Sequence, residues 1–375
     1  MRIKFTYSGW LTAMLCLLFS ISNAQDDQVF GADNKVWNPA ISYTPTDFSR
    51  ILVEVNGRIL HVKHGSNGGT TITRYYDDGS IDPGYGNGGS VNIPAETGVF
   101  EPKDAVLTNG AGVIIVGVAR VGASGYGVGV IKLTSNGTFD PNFYGGGKQV
   151  VYINNSNLNV NAVALQPDGK IIVLATTFLN TGESGPAVIR LSPDGYGDTS
   201  FSGDGLMVYP SSASTWSGVD LTSQPDGKIV FLAESRGVYQ NGIISQNHTD
   251  FAFARLNADG SVDNSFGNSG QQIVGVSGVN EHPSNVGIDI TSDKIVAFGH
   301  QEVVGDPNNT KFLSVKLLPN GTPDPGYGGT GIGIAYYNEN MQAVSRDMIV
   351  QTNGKVFASG RVLCGSNCGS TGSTD

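Results

Sequence analysis

Residues 224–228 read QPDGK and residues 255–267 read RLNADGSVDNSFG. Variants of both segments recur along the chain with a period of about 60 residues. The first is a tight turn, since Asp-Gly is typical of two-residue hairpin connections. The second runs from a strand end into a Gly-rich turn. Repetition at this period indicates a repeat architecture, in which each unit buries its apolar face only against its neighbours.

Working outward from these segments, short apolar or alternating runs flank each turn. In the fourth repeat they cover residues 218–221, 229–232, 251–256 and 272–276, which gives four strands per repeat. Four strands per repeat, repeated five to six times, predict an all-β β-propeller of about six four-stranded blades, with seven as the alternative. The runner-up is a β-solenoid, although solenoid coils are usually much shorter than this period.

Composition agrees with an all-β chain that folds as one repeat domain over residues 25–375. Of the 375 residues, 53 are glycine, 14% are charged and 39% are hydrophobic. No long segment with helical periodicity follows residue 24, and the apolar content is too high for wholesale disorder.

Residues 1–24 are predicted to be a secretory signal peptide. Arg2 and Lys4 precede an apolar stretch that is too short to span a bilayer, and residues 22–24 offer a small-residue cleavage site. We therefore expect a secreted, outer-surface or periplasmic protein with no transmembrane segment in the mature chain, and a monomer. Removing Arg2 and Lys4 changes the net charge from -10 to -12, which disfavours nucleic acid as a partner.

Two cysteines remain after residue 24, Cys364 and Cys368. An oxidising compartment predicts a local disulfide between them, which would pin a loop tip. Metal binding by this pair is not expected, because no histidine or second cysteine pair is near in sequence.

The two ends of the chain are in phase with each other. Residues 30–37 resemble the final strand of a repeat, and residues 345–360 resemble the first two strands. Together they predict one blade completed from both ends, with one strand missing after residue 375. We therefore expect the last blade to be incomplete and the sequence to be a fragment.

The motifs QPDGKI (166–171 and 224–229), FARLNADGSVD (253–263) and SFG (265–267) resemble the delta-60 repeat. The resemblance is most specific in the third and fourth repeats. It implies an exported bacterial protein with propeller-forming repeats, and it carries no catalytic residues.

The recurring acidic pairs allow two interpretations. Asp259 and Asp263, for example, could contribute carboxylates to a calcium site, or could accept hydrogen bonds from nearby amides and hold the turn. The second is favoured, because the spacing of a dedicated calcium loop is absent and an element found in every repeat is architectural. We expect no cofactor, with calcium as the alternative. The five histidines suggest neither a metal set nor a catalytic triad.

Strand order places the constant turns at one end of each sheet and connections of variable length at the other end, such as the expected loops 234–249 in the fourth repeat and 301–310 in the fifth. Insertions gathered on one face typically mark a binding face. The candidate binding residues on that face are Trp216, Tyr239, Asn247, His248 and Glu302.

The favoured hypothesis is an exported non-catalytic propeller that binds a protein or glycan at the cell surface. The alternative is a carbohydrate-active enzyme, a glycosidase or lyase with paired carboxylates near the centre of the variable face. A third is a structural module of a larger surface protein. No catalytic residue is assigned.

Overall fold

A computed structural model describes residues 48–65, 68–94, 100–121, 125–153, 157–178, 184–209, 215–237, 239–240, 243–244, 248–276, 278–304 and 306–363. The predicted signal peptide and the predicted disulfide Cys364–Cys368 lie outside these residues. Every regular element within them is a β-strand. The chain divides into two compact units, Met1–Tyr152 with Gly372–Asp375 (unit 1) and Ile153–Thr371 (unit 2).

Unit 1 contains two four-stranded antiparallel sheets in simple up-and-down order. The strands of the first sheet are β1 (Ser49–Val53), β2 (Ile59–His64), β3 (Thr70–Tyr75) and β4 (Ser90–Ile93). Those of the second sheet are β5 (Phe100–Leu107), β6 (Val113–Val121), β7 (Gly125–Leu133) and β8 (Lys148–Val151). Aliphatic side chains of both sheets, among them Leu60, Ile72 and Ile115, form one buried core.

Unit 2 continues the same pattern. The third sheet has β9 (Asn157–Leu165), β10 (Ile171–Phe178), β11 (Ser184–Leu191) and β12 (Leu206–Val208). The fourth has β13 (Thr215–Ser223), β14 (Ile229–Arg236), β17 (Thr249–Leu256) and β18 (Gln271–Val274), with the small hairpin β15 (Tyr239–Gln240) and β16 (Ile243–Ile244) inserted.

The remaining strands are β19 (Val279–Asp289), β20 (Lys294–Val303), β21 (Asp306–Leu317), β22 (Ile334–Val350) and β23 (Val356–Leu363). The first part of β22 pairs with β21 and completes the fifth sheet, whereas its last part pairs with β23 and begins a sixth. Four strands per repeat are therefore confirmed. In the described part of the chain the sixth sheet has two strands.

The Gly-rich turn is held by an ion pair and an aromatic stack. In the fourth sheet the Oδ1 of Asp263 accepts the Ser265 amide at 3.1 Å, and its Oδ2 accepts Arg255 Nε at 2.8 Å. The Arg255 guanidinium lies 4.7 Å over the Phe266 ring and donates to the Pro319 carbonyl of the next repeat. Asp263 thus accepts a hydrogen bond from a nearby amide, as expected if the acidic residues hold the turn.

The same arrangement recurs in other sheets. Its basic, acidic and aromatic members are Arg74, Asp82 and Tyr85 in the first sheet, and Arg190, Asp198 and Phe201 in the third. The short turn also survives where the sequence lacks glycine. Asp293 takes the left-handed backbone conformation there (φ 54°), which a short polar side chain tolerates.

The first strand of five sheets carries a β-bulge at the same position. The residues skipped by the pairing register are Lys103, Asn161, Val219, Ser284 and Arg346. A bulge adds one residue to a strand and re-aims its side chains. Within unit 2 the first strands of successive sheets lie against each other, β9 on β13, β13 on β19 and β19 on β22. The bulges of unit 2 therefore lie along the line where its sheets converge.

We call the end of each sheet with the constant turns the turn end, and the opposite one the loop end. The loop end differs from the prediction, because segments expected to be long loops are largely strand. β20 extends to Val303 and β21 starts at Asp306, so most of the expected loop 301–310 is paired. The fourth sheet keeps its insertion, which contains β15 and β16.

Candidate functional site

Trp216 does not lie on the surface. Its side chain is 2% exposed and stacks on Tyr209, with ring centroids 5.4 Å apart and planes 12° from parallel. Phe231 closes the group edge-on at 5.2 Å from the Tyr209 ring. Trp216 was expected on the variable face of the sheets, but β13 begins at Thr215 and directs the Trp216 side chain into the core.

The other predicted binding residues are placed as follows. His248 is half-buried, with its Nδ1 3.1 Å from the Val279 carbonyl oxygen. Glu302 lies in β20, paired with Asn280 and Thr310, rather than in a loop. Tyr239 lies in β15. Asn247 lies outside the described residues. His248 and Glu302 therefore both flank the start of β19.

A group of four polar residues that sequence reasoning missed spans the fourth, fifth and sixth sheets. We call Glu234, His282, His300 and Ser345 the histidine cluster. Glu234 Oε2 lies 3.0 Å from His282 Nδ1, the two imidazole rings are 5.0 Å apart, and His300 Nδ1 lies 3.0 Å from Ser345 Oγ. The cluster lies towards the loop end, on strands β14, β19, β20 and β22.

The surroundings of the cluster lower the pKa values of His300 and Glu234. Burial, followed by the charge of His282, lowers the pKa of His300 to about 4. Burial works against ionisation of Glu234, but the hydrogen bonds and charges of His282 and Arg236 outweigh it and lower the pKa of Glu234. At neutral pH the cluster therefore holds an ionised carboxylate and a neutral His300.

A second polar feature lies nearby between the fourth and fifth sheets. Asp250 and Glu281, here the acid pair, are 2% and 1% exposed. Burial and then the charge of Asp250 raise the pKa of Glu281 to about 9, and burial raises the pKa of Asp250. Glu281 Oε1 accepts the Val276 amide at 2.8 Å. Because the pKa of Glu281 is raised this far, the pair retains a proton at neutral pH.

Further polar side chains tie the first strands of unit 2 together beside their bulges. Asp220 Oδ2 accepts the Val286 amide at 2.8 Å, and Asn285 Nδ2 donates to Asp347 Oδ1 at 3.1 Å. These bonds cross from the fourth sheet to the fifth and from the fifth to the sixth. They hold the strands that carry the histidine cluster in fixed register.

A cavity of about 300 Å³ lies between the fifth and sixth sheets. Its walls are Phe298, Phe312, Ser314 and Tyr337 on one side and Val356 with residues 358–360 of β23 on the other. Between the fourth and fifth sheets the same space is filled from the third and fourth strands of the later sheet, by Leu313, Val315 and Ile334. We therefore interpret the cavity as a core position beside β23 rather than as a ligand site.

Neither a metal-binding group nor a membrane-crossing helix occurs among the described residues. No group of three or more His, Cys, Asp or Glu side chains could hold a metal ion there. The same part of the chain contains no helix of the length and hydrophobicity needed to cross a membrane.

Comparison with known proteins found a family model described as a domain of unknown function (DUF5122) beta-propeller. It matches residues 112–143, 166–201 and 224–266, in the second to fourth repeats. No curated protein matches the chain.

Several solved structures are similar to the chain at low identity. An α-L-arabinofuranosidase of family GH93 from Fusarium graminearum is 9% identical over 84% of this chain and 92% of its own, with a TM-score of 0.47. An ulvan lyase of family PL25 is 8% identical over 83% and 82%, with a TM-score of 0.44. The Hadza microbial sialidase Hz136 is 9% identical over 81% and 61%, with a TM-score of 0.43. Similarity at this level does not extend to activity. The four-stranded sheets and the family match confirm the predicted all-β, β-propeller fold of the chain.

Proposed function

We propose that this protein is an exported, non-catalytic β-propeller that binds a glycan or protein at the cell surface through the loop end of unit 2. The supporting observation is the histidine cluster. It gathers donors and acceptors from three sheets at the line where the first strands converge, and His282 keeps 31% of its side chain exposed. A ligand docked there would contact several repeats at once.

The acid pair supports binding rather than catalysis. Glycosidases hold their two carboxyl groups about 5–5.5 Å apart when they retain configuration and about 6.5–9.5 Å apart when they invert it. In either mechanism both carboxyl groups must reach the scissile bond of the substrate. With exposures of 2% and 1%, neither can reach a substrate without movement of the surrounding strands.

A carbohydrate-active enzyme is the second candidate, and one observation favours it. Glu281 has a raised pKa and Glu234 a lowered one, and both lie on strands near the loop end. Carboxyl groups whose environments push their pKa values apart are the usual mark of an acid and a base. Such an enzyme would use Glu281 as the proton donor and Glu234 as the base or nucleophile.

A glycan array followed by affinity measurements on residues 25–375 tests the proposal. The informative variant is His282→Ala, and the matched control is His61→Ala, because His61 belongs to unit 1 and bonds to Ser49 rather than to a member of the cluster. We expect His282→Ala to weaken binding of an array ligand at least tenfold, about 1.4 kcal/mol, and the control to leave it unchanged.

The same array ligands should be incubated with the protein and checked for new reducing ends and for unsaturated sugar ends. We expect neither. Cleavage that is lost in Glu281→Gln would establish the enzyme instead. Equal affinities of the His282 and His61 variants would place the ligand elsewhere.

A further inference from the structure

Arg346 is an exposed cation without a carboxylate partner in the described part of the chain. It is the bulged residue of β22, skipped where Ser345 and Asp347 pair with β23, and its side chain is exposed. None of the ion pairs formed by described residues involves it. Arg236, the other arginine near the histidine cluster, instead pairs with Glu234 at 3.2 Å.

Arg346 and the histidine cluster belong to one patch. Ser345, the neighbour of Arg346 in sequence, is hydrogen-bonded to His300, and the charge of Arg346 contributes to the lowered pKa of His300. The His300 ring lies 5.0 Å from that of His282. The exposed Arg346 therefore directly follows the residue that bonds His300, and its charge acts on His300, where the fifth and sixth sheets converge.

The acids around this surface do not neutralise Arg346. Glu234 is engaged by His282 and Arg236. Asp347 accepts the Met348 amide at 2.9 Å and the Asn285 side chain. Among the described residues Arg346 is thus a cation without a carboxylate partner, in a chain whose net charge is -10. A guanidinium favours a carboxylate as its bidentate partner.

The mixture of groups favours an acidic sugar over an acidic peptide. A uronic acid has one carboxylate and several hydroxyl groups, and the hydroxyls can donate to Glu234 and bond to Ser345 and His282. A peptide rich in carboxylates would instead be repelled by Glu234 and Asp347. We infer that the loop end of unit 2 recognises the carboxylate of a uronic-acid sugar through Arg346, with His282 and His300 at its side. This inference rests on the proposed binding function and names its ligand class.

Imidazole NMR spectra of residues 25–375 test it, with D-glucuronate as the probe and D-glucose as its neutral counterpart. The five histidine signals are assigned with His→Gln variants. We expect glucuronate to shift the His282 and His300 signals to saturation, to leave those of His61 and His64 in place, and glucose to have no effect. Arg346→Gln should weaken the glucuronate response at least tenfold. Lys103→Gln should not, since Lys103 occupies the same bulge position in unit 1.

Each other outcome overturns a defined part of the reasoning. If glucuronate leaves both signals unmoved, or moves them equally in Arg346→Gln, the anion inference is wrong, and an array ligand that still depends on His282 keeps the proposed function intact. If an aspartate-rich peptide gives the Arg346-dependent shifts and glucuronate does not, the ligand is a protein. If glucuronate responds as expected but no array ligand depends on His282, the proposed macromolecular binding fails and the carboxylate site stands.

Discussion

The acid pair makes the stability of unit 2 fall as pH rises above the ordinary pKa of glutamate. That ordinary pKa is 4.5, and burial with the charge of Asp250 raises the pKa of Glu281 to about 9 in the fold. Between these values the folded chain binds a proton that the unfolded chain releases. Stability therefore decreases with pH in that window, at up to about 1.36 kcal/mol per pH unit.

The variant Glu281→Gln removes this dependence and keeps the contacts. The glutamine amide carries no titrating proton, and its oxygen can still accept the Val276 amide. Over the two units from pH 5 to pH 7 we expect wild type to lose about 2–3 kcal/mol relative to the variant. Most of the difference should accumulate before pH 9.

Urea unfolding of both proteins at pH 5, 6, 7 and 8 measures the effect directly. Glu302→Gln serves as the control for loss of one carboxyl from the fifth sheet, and its pH profile should follow that of wild type. Parallel profiles for wild type and Glu281→Gln would show that Glu281 holds no extra proton in the fold, and the description of the acid pair would be wrong.

Three further predictions, each with a comparison variant, test the fold and the revised site. Asp263→Ala should lose about 3–5 kcal/mol of stability, because it leaves the buried Arg255 without its carboxylate partner. Asp259→Ala, at the exposed end of the same turn, should lose much less. Comparable losses in urea unfolding would contradict the roles assigned to the two aspartates. Trp216→Ala should lower the free energy of unfolding by about 3–5 kcal/mol, because it truncates a core side chain. Trp216→Phe should bind ligand as the wild type does. Selective loss of binding in Trp216→Phe would show that Trp216 contacts the ligand. Gly275→Ala would place a Cβ against the Asp250 carboxylate and should cost about 1–3 kcal/mol, whereas the Cβ of Gly146→Ala meets no atom within 4 Å. Equal thermal midpoints of the two variants would refute the close packing at Gly275.

The repeat made the strands predictable because its local signals are strong. Asp-Gly turns and Gly residues with positive φ fix where hairpins form, and the alternating runs between them can only be strands. The acidic turn residues were also interpretable, since Asp and Asn bond to the amide two positions on, as Asp259 does with Ser261. Where the sequence lacks the expected glycine, at Asp293, the turn still forms.

The histidine cluster was not predictable because it depends on a bulge. Counting back from the turn that joins β19 to β20 in regular register would pair His300 with Pro283. The bulge at Ser284 shifts the register by one, so His300 pairs with His282 instead. Nothing in the local sequence marks Ser284 as the bulged residue. Only the recurrence of a bulge in other first strands could have revealed it.

Two of the predicted site residues were misplaced for a related reason, while their role in binding stays a prediction. Strand ends were judged from hydrophobic runs, and strands with polar ends, such as β14 and β20, extend further than those runs suggest. Glu302 was therefore expected in a loop. Trp216 was placed on the surface because the start of β13 was not recognised.

The central claim is that ligand binds the loop end of unit 2 at the convergence of its first strands. Hydrogen exchange of residues 25–375 with and without an array ligand tests this claim most directly. We predict ligand-dependent protection in residues 279–285 and 343–347, with no change in the constant turns at residues 166–170 and 224–228. Protection confined to those turns, or to unit 1, would contradict the account.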